Sequence, residues 1–107
     1  MLSIKEMIDG MECFIRFTRH AEQRMVDRMV CYDDVLEDCR LAGEEILSCK
    51  EGEEVNVVNT AKDRISCIAI NSDEDYNLFI DVKTVINEGQ IKRGRKNIII
   101  NNTEGGD

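Results

Sequence analysis

Three side chains suited to phosphoryl chemistry recur every fourth residue in the first third of the chain: His20, Arg24 and Arg28. Residues four apart lie on one face of a helix, so the spacing predicts a stripe of one imidazole and two guanidinium groups. An imidazole can move a proton near neutral pH, and guanidinium groups stabilise charge on phosphate oxygens. The stripe indicates phosphodiester chemistry, although arginines at this spacing are more often a solvated face, here paired with Glu22 and Asp27.

The element that must hold this stripe is a helix from Thr18 to about Met29. Thr18 has the residue type and position of an N-cap. Ala21, Met25 and Met29 form an adjacent apolar stripe, which we expect to pack on a sheet. The helix would then support the imidazole and the guanidinium groups near the edge of the core.

The residues before this helix predict a short helix followed by a short strand. Ser3 to Glu6 has the form of a capping box, and apolar residues follow at helical spacing until Gly10. The run 13–17 contains phenylalanine and isoleucine, which favour a strand. After the His/Arg helix, Asp33 or Asp34 can cap another helix that ends at Gly43.

The pattern then changes from helical to extended. Residues 44–54 are interpreted as a strand-and-turn connection. Strands are predicted at Val55–Val58, Ile65–Ile70, Asn77–Ile86 and Ile98–Ile100. Helices first and strands afterwards predict an α+β fold, with N-terminal helices packed on a three- to five-stranded antiparallel sheet. Residues 1–100 would form this single domain, and residues 101–107 a disordered tail.

The net charge of −8 opposes long-range attraction to a polyanion, but the charges are clustered. Residues 33–54 hold nine acidic side chains against Arg40 and Lys50, and form either a solvated face or a surface for a basic protein partner. Residues 92–96 are basic, which favours an edge-protecting turn over a phosphate-contacting loop. The candidates for RNA contact outside the stripe are Arg16, Arg19, Lys92, Arg93, Arg95 and Lys96.

The five cysteines are scattered and odd in number, without a CxxC pair, so we expect them to be reduced and to bind no metal. No apolar run approaches a membrane span, and no signal peptide is recognisable at the N-terminus. These features predict a cytoplasmic protein without a cofactor.

The segment Phe17–Arg28 reads Phe-Thr-Arg-His-Ala-Glu-Gln-Arg-Met-Val-Asp-Arg. It resembles the Phe/Tyr-Ser/Thr-x-His-Ala-x-x-Arg-Met-x-x-Arg opening of the family catalogued as domain of unknown function 4258. Asp33–Val35, Gly43–Ile46 and Val82–Ile86 resemble later steps of that family at similar spacing. The chain departs from the pattern at Met29-Val30, where the family tends to have Gly-Ile, so the turn between the helices must differ.

That family is similar to the BECR group (barnase, EndoU, colicin and RelE-like), in which helices precede a four-stranded antiparallel sheet. Many members are metal-independent ribonucleases of bacterial toxin–antitoxin systems. The resemblance implies that His20 is the acid or base, that Arg24 and Arg28 bind phosphate, and that Thr84 is a polar group on the closing strand. It also implies RNA as a substrate and an antitoxin or host factor as a protein partner.

The acidity of the chain leaves a second function open. A catalytically silent protein-binding module, or an inhibitor or immunity-type protein on the same scaffold, would use the acidic 33–54 surface. The enzyme hypothesis requires His20, Arg24, Arg28 and Thr84 to converge on one cleft that solvent can reach.

Overall fold

The chain begins with a β-hairpin rather than with the predicted helix. In the computed structural model, which describes residues 2–90 and 94–100, β1 (Leu2–Ile8) pairs antiparallel with β2 (Met11–Phe17). Asp9 and Gly10 join them with φ values of 49° and 82°, the left-handed pair that two-residue hairpin turns require. The helix prediction was wrong because a spacing of four between apolar residues also fits one face of a strand.

The predicted helix that holds the stripe is confirmed as α1 (Arg19–Asp27). The Thr18 hydroxyl accepts a hydrogen bond from the backbone N–H of Ala21 at 3.0 Å, which is the N-cap contact expected from the sequence. The helix ends at the cap residue Arg28, slightly earlier than predicted, and Met29 follows with a φ of 56°. The prediction that Met29 belongs to the buried apolar stripe was wrong, because Met29 lies beyond the helix and is 93% exposed.

Two further helices follow, of which only the first was predicted. Helix α2 (Tyr32–Leu41) begins after Cys31, which takes the N-cap position expected for Asp33 or Asp34. Helix α3 (Gly43–Leu47) lies where a strand-and-turn connection was expected, and Gly43 begins this helix instead of ending α2. A Cβ atom on Gly43 would lie only 2.8 Å from Cγ2 of Ile8, so glycine allows α3 to approach β1 closely.

The predicted C-terminal strands are present as β3 (Glu54–Asn59), β4 (Arg64–Ser72), β5 (Leu78–Ile86) and β6 (Lys96–Ile100). With the hairpin they form one sheet of six strands, in the order β1-β2-β5-β4-β3-β6. The α+β class is therefore confirmed. The predicted order of helices before strands is wrong, and so is the predicted antiparallel sheet of three to five strands.

The sheet is mixed because β2 runs parallel to β5, and β6 runs parallel to β3. The other three pairs are antiparallel. Hydrophobic periodicity identifies a strand and its buried face but carries no information about the direction of its neighbour. Both parallel partners are far apart in sequence, which explains why the local pattern could not predict them.

The three helices cover one face of the sheet. Their buried side chains, including Ala21 and Met25 of α1, join a single core cluster with apolar residues of all six strands. No helix among residues 2–90 and 94–100 combines the length and the apolar character needed to cross a bilayer. Residues 101–107, predicted as a tail, lie outside the described part of the chain.

Strand β5 lies beside β2 in its first half and beside α1 in its second half. Strand β2 ends at Phe17, opposite Val82, and the chain then turns into the helix. The Thr18 backbone N–H donates to the carbonyl of Val82 at 3.2 Å, and its hydroxyl donates to the carbonyl of Lys83 at 3.1 Å. The helix therefore packs beside the second half of β5, at the edge between the two faces of the sheet.

Candidate active site

A cavity of about 300 Å³ opens beside α1. Its lining residues come from α1 and its C-cap, from three strands and from two positions between β5 and β6. They are His20, Arg24, Arg28, Asn56, Cys67, Thr84, Ile86, Gln90 and Arg95. His20 and Arg24 are exposed, so solvent reaches the cavity from the helix side. The structure thus brings together the four residues that the sequence and the family resemblance singled out.

The floor of the cavity is a row of side chains across three adjacent strands. Thr84 of β5 is the register partner of Cys67 of β4, which in turn is the partner of Asn56 of β3. Neighbouring strands lie about 5 Å apart, so Thr84 and Asn56 are separated by roughly 10 Å between their backbones. The two residues mark opposite ends of the floor, with α1 at the Thr84 end.

Thr84 faces the cavity because of a β-bulge. Ile80 and Val82 of β5 point into the core beneath the helices, and strict alternation would place residue 84 there as well. The register shifts between Cys67 and Ile68, which leaves Lys83 as an extra residue in β5. The extra residue turns Thr84 to the opposite face, an effect often found next to active sites.

Arg28 is held in place by the short 3₁₀ helix Glu88–Gln90. Its Nη2 atom donates a hydrogen bond to the Gln90 side-chain carbonyl, which also accepts from the backbone N–H of Asn87 at 3.1 Å. The guanidinium group is therefore fixed at one end, while its Nε atom is buried without a hydrogen-bond partner among the described residues.

Three buried polar atoms in the cavity wall have no hydrogen-bond partner within the described part of the chain. They are Nε of Arg28, Oδ1 of Asn56 and Oγ1 of Thr84. An unpaired buried polar group costs about 1–3 kcal/mol, so such groups need an explanation. Arg28 Nε and Thr84 Oγ1 can each donate a hydrogen bond, and Asn56 Oδ1 can accept one. These groups suit a polar ligand that has both acceptors and a donor.

The cavity is a positively charged region on an acidic molecule. Three arginines and His20 line it, and no carboxylate is among the residues that line it. Arg95 is anchored at the mouth by an ion pair with Glu54, with 3.0 Å between Nη2 and Oε1. The remaining arginines of the cavity form no ion pair with any described residue, so their charge is available to an anion.

Of the four other candidates for RNA contact that the structure describes, only Arg95 lines the cavity. Arg16 donates two hydrogen bonds to Asp81, at 2.5 and 2.8 Å, and its guanidinium lies 4.1 Å from the centre of the Phe79 ring. The hydrogen bond to Asp81 raises the pKa of Arg16. Arg19 and Lys96 are exposed but do not line the cavity. Lys92 and Arg93 fall outside the described residues.

The sequence did not reveal four residues of the cavity: Asn56, Cys67, Ile86 and Gln90. Asn56 and Cys67 lie within ordinary strand patterns, and Gln90 lies in a polar segment after β5. No local motif marks them, because only the order of the strands brings them beside α1.

The acidic 33–54 surface is largely exposed, with one important exception. Asp38 is fully buried and accepts hydrogen bonds from Arg64, at 2.7 and 3.0 Å, and from Asn59, at 2.8 Å. This cluster ties α2 to β3 and β4, so Asp38 is structural. The exposed acidic side chains of the surface are Asp33, Glu37, Glu44, Glu45, Glu51 and Glu54.

The cysteines do not provide a reactive group in the core. All five lie in the described ranges and none forms a disulfide. Burial raises the pKa of Cys13 to about 11 and that of Cys39 to about 12, so both are neutral thiols at pH 7. Among the described residues, no three His, Cys, Asp or Glu side chains are grouped as a metal site would require.

The chain matches no protein-family model, and comparisons with curated proteins and with solved structures gave no match.

Proposed function

We propose that this protein is a small metal-independent endoribonuclease that cleaves RNA phosphodiesters in the cavity beside α1. The observation that supports the proposal is that His20, Arg24, Arg28 and Thr84 line one solvent-reachable cavity. The sequence pattern and the family resemblance alone predict these four residues, and Thr84 lies more than fifty positions after the other three. Their resemblance to the His/Arg box of toxin-like ribonucleases supports the same reaction.

The proposed reaction transfers the phosphoryl group from the 5′-oxygen of one nucleotide to the 2′-oxygen of the preceding nucleotide. His20 accepts the proton of the 2′-hydroxyl group, the 2′-oxygen–phosphorus bond forms, and the phosphorus–5′-oxygen bond breaks. The proton then passes from His20 to the departing 5′-oxygen. The products are a 2′,3′-cyclic phosphate and a free 5′-hydroxyl group, and no co-reactant is consumed.

The arginines and Thr84 would stabilise the charge that develops on the phosphorane oxygens. Guanidinium groups fixed in advance lose little energy to reorganisation during the reaction. Arg28 meets this condition because Gln90 holds it. The unpaired hydroxyl of Thr84 and the unpaired Nε of Arg28 would each gain a hydrogen bond from a bound phosphate group.

The first prediction concerns His20. We expect the purified wild type to cleave single-stranded RNA in the presence of EDTA, leaving 2′,3′-cyclic phosphate ends. His20→Ala should lower the cleavage rate by about 10²–10⁴-fold, because that range is typical for loss of a proton-transfer group. Rates are measured on a labelled RNA by gel electrophoresis, and the product ends by mass spectrometry.

Arg19→Ala is the matched control, since Arg19 is a cation on the same helix that does not line the cavity. It should keep the wild-type rate. Equal cleavage by wild type and His20→Ala would place any activity in another site or a contaminant. Absence of cleavage by the wild type would favour the alternative function.

The alternative is a catalytically silent protein-binding module, or an inhibitor or immunity-type protein. The observation that favours it is the exposed row of carboxylates in residues 33–54, which suits a basic protein partner. The same surface could hold an antitoxin if the protein is an active toxin. Charge reversal in this surface should weaken binding of the partner in both cases. Cleavage of RNA by the isolated protein is expected only if the protein is an enzyme.

A further inference from the structure

The cavity has two chemically different ends. The helix end contains His20, Arg24 and Arg28 beside Thr84, and it is cationic. The other end of the floor is Asn56, an uncharged amide on β3. A phosphate group explains the first end, but it does not explain a buried amide oxygen, because two acceptors repel each other.

Asn56 is buried and held in a defined orientation. Only 1% of the residue is exposed, and its Nδ2 atom donates to Oδ1 of Asn97 at 3.0 Å, on the neighbouring strand β6. The amide therefore keeps Oδ1 and the second N–H of Nδ2 for further contacts. Oδ1 has no hydrogen-bond partner among the described residues, although Asn56 lines the cavity.

We propose that Asn56 reads the nucleobase of the nucleotide whose phosphate binds at the helix end, by accepting a hydrogen bond from an N–H group of the base. This inference rests on the proposed function and adds the part of the substrate that determines sequence preference. Single-stranded RNA is commonly recognised in this way, with an unstacked base hydrogen-bonded along its edge.

The dimensions of the floor agree with a single nucleotide. Thr84 and Asn56 are roughly 10 Å apart, two strand spacings, which leaves room for a sugar between a phosphate group and a base edge. The cavity of about 300 Å³ is at the lower end of the size range of ligand pockets. It can accept one nucleotide.

The test separates the two ends by their ligands. Isothermal titration compares inorganic phosphate with the four nucleoside 3′-monophosphates, for the wild type and for Asn56→Leu. In the wild type we expect the preferred nucleotide to bind at least about 10-fold more tightly than the weakest one. One hydrogen bond to a buried group changes affinity by about this factor. Asn56→Leu should remove this preference and leave phosphate affinity unchanged.

A second measurement changes the ligand instead of the protein. The preferred nucleotide is replaced by a form whose base N–H groups carry methyl groups, which removes the donor. Wild-type affinity should fall by about 10-fold, whereas Asn56→Leu should bind both forms equally. Ser66→Ala is the control, because Ser66 also has a buried, unpaired hydroxyl but lies on the helix-covered face of β4 and outside the cavity.

The outcomes distinguish this inference from the proposed function. Equal binding of all four nucleotides, or a preference that persists in Asn56→Leu, would overturn the base-reading role and leave phosphate binding intact. Failure of both phosphate and nucleotides to bind would overturn both proposals.

Discussion

At the scale of a single residue, the Thr84 hydroxyl group is a buried polar group that the fold does not satisfy. The bulge at Lys83 turns it into the cavity, where it has no hydrogen-bond partner among the described residues. An apolar residue of the same shape would suit the fold equally well. Packing therefore does not account for the hydroxyl group.

Thr84→Val tests this difference at the residue scale. The substitution keeps the shape of the side chain and removes the unpaired hydroxyl, so the free energy of unfolding should stay the same or rise by about 1 kcal/mol. RNA cleavage should fall by roughly 10²–10³-fold, the usual effect of losing one donor to a developing oxyanion. Urea unfolding and cleavage rates are measured on the same preparation.

Ser66→Ala provides the reference, since it removes an equally buried and unpaired hydroxyl group from the opposite face. It should alter neither cleavage nor stability appreciably. A Thr84→Val variant that is both less stable and fully active would mean that Thr84 is a packing residue.

At the element scale, the start of α2 depends on a charged hydrogen bond. Oδ2 of Asp34 accepts from the backbone N–H of Cys31 at 3.0 Å and from its thiol at 3.1 Å. These hydrogen bonds, the backbone one foremost, lower the pKa of Asp34 below its ordinary value of 3.8. A lowered folded-state pKa means that the stabilisation is complete above pH 4–5 and is lost as the pH falls through the lowered value.

Asp34→Ala should therefore reduce the free energy of unfolding by about 1 kcal/mol at pH 7, a typical effect for a helix cap. The difference from wild type should shrink as the pH falls below 3.8. Asp33→Ala removes a neighbouring charge from the same helical turn without breaking a hydrogen bond, and should have a smaller effect. Urea titrations across this pH range measure the differences, and a constant difference at all pH values would contradict the assignment.

The helices and turns also differ in how far the sequence could predict them. Local chemistry was sufficient for most of α1, whose N-cap Thr18 and buried Ala21 and Met25 appear as predicted. It failed for Met29, the third residue of the predicted stripe, which is exposed because the helix ends before it. The hairpin turn at Asp9-Gly10 was recognisable but was outweighed by a helical spacing. Gly43 was predicted to end a helix, and this was wrong because its role is a close contact with Ile8 and not a local backbone preference.

The residues of the candidate site also fall into those that the sequence could predict and those that it could not. The residues on α1 and Thr84 were found from sequence and resemblance, since they belong to one motif and its companion strand. Asn56 and Gln90 were missed because their positions depend on the order of strands in the sheet, which no local pattern contains. Arg16, predicted to contact RNA, lies outside the cavity and pairs with Asp81 across 65 residues, a contact that no local pattern contains.

At the scale of the whole molecule, Gly43 joins the helical layer to the N-terminal hairpin. Helix propensity alone predicts that Gly43→Ala stabilises the protein by up to about 1 kcal/mol. We expect the opposite, a loss of about 1–3 kcal/mol, because the new Cβ would meet the buried Ile8 at 2.8 Å. Gly89→Ala is the control, since open space surrounds Gly89. Thermal unfolding of the two variants measures the effect, and a more stable Gly43→Ala would show that α3 and β1 are not in close contact.

The order in which the cavity residues occur along the chain has a consequence for the making of the protein. The ribosome adds His20 before Asn56, and it adds Thr84 and Arg95 after both. Strand β2 cannot form its parallel pairing until β5 has been synthesised. A growing polypeptide therefore lacks the complete cavity until residue 95 has been added. If the protein cleaves RNA, the proposed site cannot act on the messenger before that point of translation.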